Sequence, residues 1–274
     1  MPSLKKTSAQ PLASLVTSLA PDCGEWRDSS HPGGITAAET NKLPSWKRLL
    51  DVTCIVVSLP CWFIVFIAIV TWIKLVSPGP IFFCQQRLGR GAKPFKMFKF
   101  RTMELNVETR SHELHFQNLI NTDCPMTKLD ATGDPRIIFG GRILRALGLD
   151  ELPQLFNVLR KEMSLVGPRP CTPIEFKLYK SWQLERFNAV PGLTGYWQVN
   201  GKNKTTFRQM IEMDIYYCRH ASFWLDIMIL LRTIPAIVSQ AIESRVSSGA
   251  RKRKISMPLQ RGSGSFDGPV SREG

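Results

Sequence analysis

Between Val52 and Ile73 the sequence reads VTCIVVSLPCWFIVFIAIVTWI, without one charged residue. About 20 apolar residues cross the hydrocarbon of a bilayer, so this run ties the chain to a membrane. A plain transmembrane anchor is the simplest reading. Lys47 and Arg48 precede the run, Lys74 follows it, and Trp62 and Trp72 stand where interfacial tryptophans sit. Two details argue for something else. Pro60 removes a backbone hydrogen bond within the run and bends a helix there. Basic residues also crowd both flanks, with Lys42, Lys47 and Arg48 before it and Lys74, Arg87, Arg90, Lys93, Lys96, Lys99 and Arg101 after. Keeping both flanks on the cytoplasmic side requires a bent, re-entrant helix. Composition alone leaves both readings open.

The rest of the composition narrows the partners. A formal net charge of +14 over 274 residues suggests a polyanion: nucleic acid, an anionic lipid surface or a phosphate-bearing substrate. The seven cysteines are scattered, with no CxxC pair to suggest zinc or a disulfide framework. His112 and His115 lie in HELH, which lacks the HExxH spacing of a zinc site, and read as surface residues. Residues 1–43 lack apolar periodicity and read as a disordered arm without a secretory leader. Residues 246–274, with the basic cluster Arg251–Lys254, read as a disordered tail weakly drawn to anionic lipid.

Between these ends, residues 44–76 form the membrane segment and 77–245 the main domain. Ile81–Gln85 and Phe95–Arg101 predict two strands joined at Gly89-Arg90-Gly91, a hairpin with cations on one face. A helix is plausible over His112–Ile120, and GGRILRALGL predicts a short helix bearing Arg142 and Arg145, broken at Gly148. In GLDELPQLFNVLR, Asp150 suits an N-cap and Pro153 the first turn. Leu152, Leu155, Phe156 and Leu159 then form one apolar stripe.

Asp150 and Glu151 therefore need an explanation. They could merely cap a helix and complement its dipole, worth about 1 kcal/mol. Their surroundings suggest more. Arg145 precedes by five residues, and Gly167-Pro168-Arg169-Pro170 is a rigid turn presenting a guanidinium suited to phosphate. Two carboxylates among fixed cations describe a site for a phosphate with a divalent metal.

Six stretches in order, KRLLD, SPGPIFFCQQRLG, FKFRTM, LDELPQLFNVLRKEMSLVGPRP, PGLTGYWQVNGKN and MDIYYCRHASFWLDIMILLRTI, resemble the bacterial sugar transferases, the monotopic phosphoglycosyl transferases. The resemblance covers about residues 44–240. It implies transfer of a sugar-1-phosphate from a UDP-sugar to a polyprenyl (undecaprenyl) phosphate at the cytoplasmic face of the bacterial inner membrane. It implies Asp150 as covalent nucleophile, Glu151 as the neighbouring acid, and Mg²⁺ held by both. It further implies phosphate or nucleotide contacts from Lys99, Arg101, Arg145, Arg169, Gln198 and Asn200, and a re-entrant membrane helix. Two departures stand out. Leu59 separates Ser58 from Pro60 where the family has an adjacent pair, and Val190 stands where many members carry arginine. Residues 1–43 contain no further apolar span, so the chain resembles the compact members.

The expected fold is α+β and mostly helical, with interfacial amphipathic helices and a small hairpin beneath the bilayer. The resemblance implies no nucleic-acid partner and leaves a homodimer open. GYWQVNGKN lacks the spacing and the Ser/Thr of a P-loop. Residues 222–242 are apolar, but Asp226, Arg232 and Pro235 favour an interfacial helix over a second span. A non-catalytic scaffold of a polysaccharide assembly complex and a glycosyltransferase releasing UDP are the competing readings.

Overall fold

The computed structural model describes residues 43–104, 136–201 and 204–255. The arm up to residue 42, the helix expected over His112–Ile120 and residues 256–274 lie outside these.

The apolar run forms α1, Ser45–Val76, a 32-residue helix with Pro60 inside it. Side-chain donors serve the turn ahead of the proline: Ser58 Oγ donates to the Cys54 carbonyl (2.6 Å) and Trp62 Nε1 to that of Ile55 (3.2 Å). Lys47, Asp51 and Ile55, then Phe66, Ile69 and Ile73, are its buried residues, each group spaced at the three- and four-residue steps of one helix face. Val56, Val57, Phe63, Ile64 and Ile67 are exposed, an apolar face with no protein over it. Among the described residues this is the one helix long and apolar enough to cross a membrane.

Both ends of α1 are fastened to the body. Lys47 Nζ donates to Tyr217 Oη (2.8 Å) and pairs with Asp226, while Arg48 donates to the carbonyls of Val158 and Leu159. Asp51 Oδ1 accepts from Ser164 Oγ and Leu165 N, both at 3.0 Å. At the far end Trp72 Nε1 donates to the Phe139 carbonyl (3.2 Å). Lys47, which flanks the apolar run in sequence, is thus a buried ion-pair partner. Trp62 and Trp72 likewise spend their N–H groups on the protein.

The hairpin pairs β1 (Phe82–Leu88) with β2 (Pro94–Phe100) in unbroken antiparallel register, from Phe82 opposite Phe100 to Leu88 opposite Pro94. Gly91, at φ +63°, supplies the left-handed turn. Side chains alternate along a strand, so Lys96 shares a face with Phe98 and Phe100, and Lys99 with Phe95 and Met97. The expectation of cations on one face is therefore corrected. One hairpin face packs beneath Phe66, Ile69 and Ile73 of α1; the other meets Leu155, Val158 and Met163. Asn157 closes the outer edge of β2, accepting from Phe98 N (3.1 Å) and donating to the Lys96 carbonyl (2.7 Å).

There follow α2 (Gly141–Ala146), a 3-10 turn at Leu149–Glu151, α3 (Gln154–Leu159), β3 (Ser164–Val166) and α4 (Pro173–Lys177). Next come a 3-10 segment at Ser181–Asn188, β4 (Gly192–Thr194), α5 (Tyr196–Asn200), α6 (Phe207–His220) and α7 (Phe223–Ile255). Strands β3 and β4 pair in parallel. Gly167, just after β3, and Gly192, the first residue of β4, press together, and a Cβ on Gly192 would lie 2.0 Å from Gly167 N. Only glycine permits that approach. Helix α7 runs on to Ile255, so the segment read as a tail from residue 246 begins as helix.

Candidate active site

Asp150 and Glu151 lie on the 3-10 turn between α2 and α3, entered through Gly148 in a left-handed conformation (φ +68°). This corrects the expected N-cap. Helix α3 begins at Gln154, is capped by Pro153, and receives no side-chain hydrogen bond at its start. The left-handed glycine reverses the chain one turn early, so the two acids ride the connection itself. The stripe is partly as expected: Leu155 is buried and Leu152 and Phe156 pack towards α1, but Leu159 is exposed.

The two carboxylates differ in environment. Asp150 is 9% exposed, whereas the Glu151 side chain is 38% exposed and accepts from Lys99 Nζ at 2.8 Å. Lys99 arrives from β2, so the hairpin and the turn jointly build this pair. A carboxylate largely withdrawn from water interacts more strongly with charges placed beside it.

The other expected residues scatter more widely. Arg145, in the last turn of α2, is half-buried and precedes the acid pair on the same connection. Arg101 is buried and donates to the carbonyls of Ser77 (2.8 Å) and Pro78 (2.9 Å), joining the exit of α1 to the hairpin. Arg169 Nη1 donates to Glu175 Oε2 at 3.0 Å. Gln198 Oε1 is buried without a hydrogen-bond partner among the described residues. Asn200 caps its own helix through the Tyr196 carbonyl and accepts from Arg232. The structure thus brings Lys99 to Glu151, and directs Arg101 and Asn200 to structural contacts.

Behind the Gly167–Pro170 turn lies a buried ionic group that the sequence did not single out: Arg87, Glu175, Tyr179, Arg186 and Asp214. Arg186 donates to Tyr179 Oη, pairs with Asp214 and donates to the Arg169 carbonyl (2.6 Å). Burial and the neighbouring Arg169 lower the Arg87 guanidinium to about 10. Burial alone would raise the Glu175 carboxyl, but Arg169 and Arg87 outweigh it and hold it below its ordinary value. One signal was available in the sequence. Thr172-Pro-Ile-Glu175 has the spacing that starts a helix, and Thr172 Oγ1 does accept from Glu175 N (3.1 Å).

No group of three or more potential metal-ligating side chains occurs among the described residues. Two adjacent carboxylates suit Mg²⁺ nonetheless, since that ion is commonly held by one or two carboxylates with substrate phosphates and water completing the shell.

The site therefore consists of an acid pair and a lysine set close to a long apolar helix that is fastened to its own domain. The chain belongs to the bacterial sugar transferase family, which it matches over residues 42–240. It is 39% identical over 193 residues to the galactosyl transferase CpsE of Streptococcus agalactiae, covering 70% of this chain and 42% of that protein. It is 36% identical over 191 residues to the exopolysaccharide production protein ExoY of Sinorhizobium fredii, covering 70% of this chain and 84% of that one. The UDP-glucose:undecaprenyl-phosphate glucose-1-phosphate transferase of Caulobacter vibrioides is 39% identical over 201 residues, with 70% of each chain covered.

Proposed function

We propose that this chain transfers a sugar-1-phosphate from a UDP-sugar to a polyprenyl phosphate, the initiating step of a polysaccharide or glycoconjugate. The observation that carries the reading is the Asp150–Glu151 pair, set on a connection entered through Gly148 and met by Lys99 at 2.8 Å from Glu151. The Caulobacter relative's name describes the same class of reaction.

In this mechanism an Asp150 oxygen attacks the β-phosphorus of the donor. A P–O bond forms to Asp150, the bond to the α-phosphate oxygen breaks, and UMP leaves. A phosphate oxygen of the lipid then attacks the same phosphorus and releases Asp150, giving the polyprenyl-diphosphate sugar. A covalent carboxylate splits one displacement into two easier ones. Glu151 and Asp150 would hold Mg²⁺, which when bound neutralises phosphate charge. Lys99 orients Glu151, and Arg145 and Arg169 meet developing negative charge.

The membrane reading is supported by α1. A 32-residue helix is about 48 Å long at 1.5 Å per residue, against about 30 Å of hydrocarbon. A straight crossing would separate its ends across the bilayer. Here Lys47 and Ile73 both pack against one domain, as a re-entrant dip from the cytoplasmic face of the inner membrane requires.

The test is nucleotide release. The wild-type chain in lipid nanodiscs, given Mg²⁺, a panel of UDP-sugars and undecaprenyl phosphate, should release UMP, and Asp150→Asn should not. Release of UDP would mean ordinary glycosyl transfer. No nucleotide from any donor would leave a non-catalytic scaffold.

A further inference from the structure

Three successive carbonyls after the Gly167-Pro168 step are held by donors from distant parts of the chain. The Arg169 carbonyl accepts from Arg186 Nη2 (2.6 Å), that of Pro170 from Arg87 Nη1 (3.2 Å), and that of Cys171 from Leu88 N (2.9 Å). The backbone carrying Arg169 is thereby fixed from one side by β1 and from the other by the 3-10 segment. Its side chain is fixed too. Glu175, with 1% side-chain exposure, places Oε2 3.0 Å from Arg169 Nη1 and Oε1 3.7 Å from Arg87 Nη1. One buried carboxylate therefore lies between two guanidiniums that would otherwise repel each other.

We infer that Glu175 and Arg87 are positioning residues for Arg169: Glu175 sets the direction of its guanidinium and Arg87 pins the turn beneath it. The inference rests on the transferase reading, in which Arg169 meets a donor phosphate. Its physical content is preorganisation. A guanidinium held by a buried carboxylate and a clamped backbone meets phosphate without reorganising when charge develops. Arg87 is suited to the role because its fork donates to two acceptors at once, the Pro170 carbonyl and Gln85 Oε1 (2.8 Å), while its charge stands 3.7 Å from Glu175 Oε1. Lysine cannot match that geometry.

The experiment is a double-mutant cycle on the full chain in lipid nanodiscs, with UDP as the calorimetric probe and thermal unfolding measured in parallel. Glu175→Gln should weaken UDP binding roughly 10- to 100-fold, the usual cost of losing a supporting partner. Arg169→Ala should weaken it at least as much. In the Arg169→Ala background, Glu175→Gln should add less than about twofold, because its effect passes through Arg169. Arg87→Lys should follow the same pattern. UDP binding by Glu175→Gln equal to wild type, or losses that multiply in the double variant, would overturn the inference. Should Glu175→Gln fail to fold, Glu175→Asp keeps the charge but is one methylene too short to lie between both guanidiniums. Wild-type UDP affinity in that folded variant would be equally fatal. UMP release by the wild-type chain tests the transferase reading separately. A wild type that binds UDP without releasing UMP sinks that reading alone, a multiplicative cycle sinks only the inference, and a wild type that does not bind UDP sinks both.

Discussion

Replacing Lys47 by methionine should release the start of α1 from the domain. The Nζ group joins Tyr217 Oη and Asp226, and Tyr217 Oη donates to the other Asp226 oxygen at 2.7 Å. Asp226 is fully buried, so the substitution strands a carboxylate with one phenolic donor. Breaking such a pair from one side costs about 3–5 kcal/mol. That is a large part of the roughly 5–15 kcal/mol that holds a domain together. Removing both charges, as Lys47→Met with Asp226→Leu, should recover most of the loss. Tyr217 Oη retains the Val166 carbonyl at 3.3 Å as its acceptor. The assay is hydrogen exchange of the amides of residues 47–52 and 226–230 in nanodiscs. At about 1.4 kcal/mol per tenfold, Lys47→Met should speed exchange by roughly two to three and a half orders of magnitude. Exchange within threefold of wild type, or a double variant that opens faster than the single, would refute the reasoning.

Asn157→Leu removes the acceptor of Phe98 N and the donor to the Lys96 carbonyl. It should destabilise by about 2–6 kcal/mol, read from a denaturant titration, since each buried backbone group left unpaired costs about 1–3 kcal/mol. Burial pushes the thiols of Cys171 and Cys218 up to about 12, so peptide mapping after maleimide treatment at pH 8 should find both unmodified in the native protein and labelled after unfolding. The Glu175 carboxyl is held low, so the folded state binds its proton less readily than the unfolded chain. Its stabilising contribution is complete above about pH 4.5 and wanes as pH falls through the lower folded value. Acid titrations monitored by tryptophan fluorescence should therefore show a shallower loss in Glu175→Gln than in wild type.

What could be read from sequence followed the range of the interactions. A helix over Ser45–Val76 was legible because an uncharged run flanked by lysines is a local signal. The hairpin turn followed from Gly89-Arg90-Gly91, but the faces of its strands were misjudged. The ribbon lies between α1 and α3, so both faces are apolar and the usual alternation disappears. Asp150 was read as a cap because its residue type favours one. Gly148, in a left-handed conformation, moved the helix start to Gln154. The acid pair itself was legible from neighbouring charges. Its lysine lies 52 residues away, and the Lys47–Asp226 pair spans 179, so neither partner could be chosen by spacing.

The sandwiching of the hairpin has a practical consequence. Phe66, Ile69 and Ile73 form one wall of the packing around Phe82, Phe98 and Phe100, the strands that deliver Lys99. Severing the chain after Val76 would not yield a water-soluble catalyst minus its anchor. It would uncover an aromatic sheet surface and loosen the strand on which the acid pair depends. Helix α1 cannot be exchanged for a generic tether.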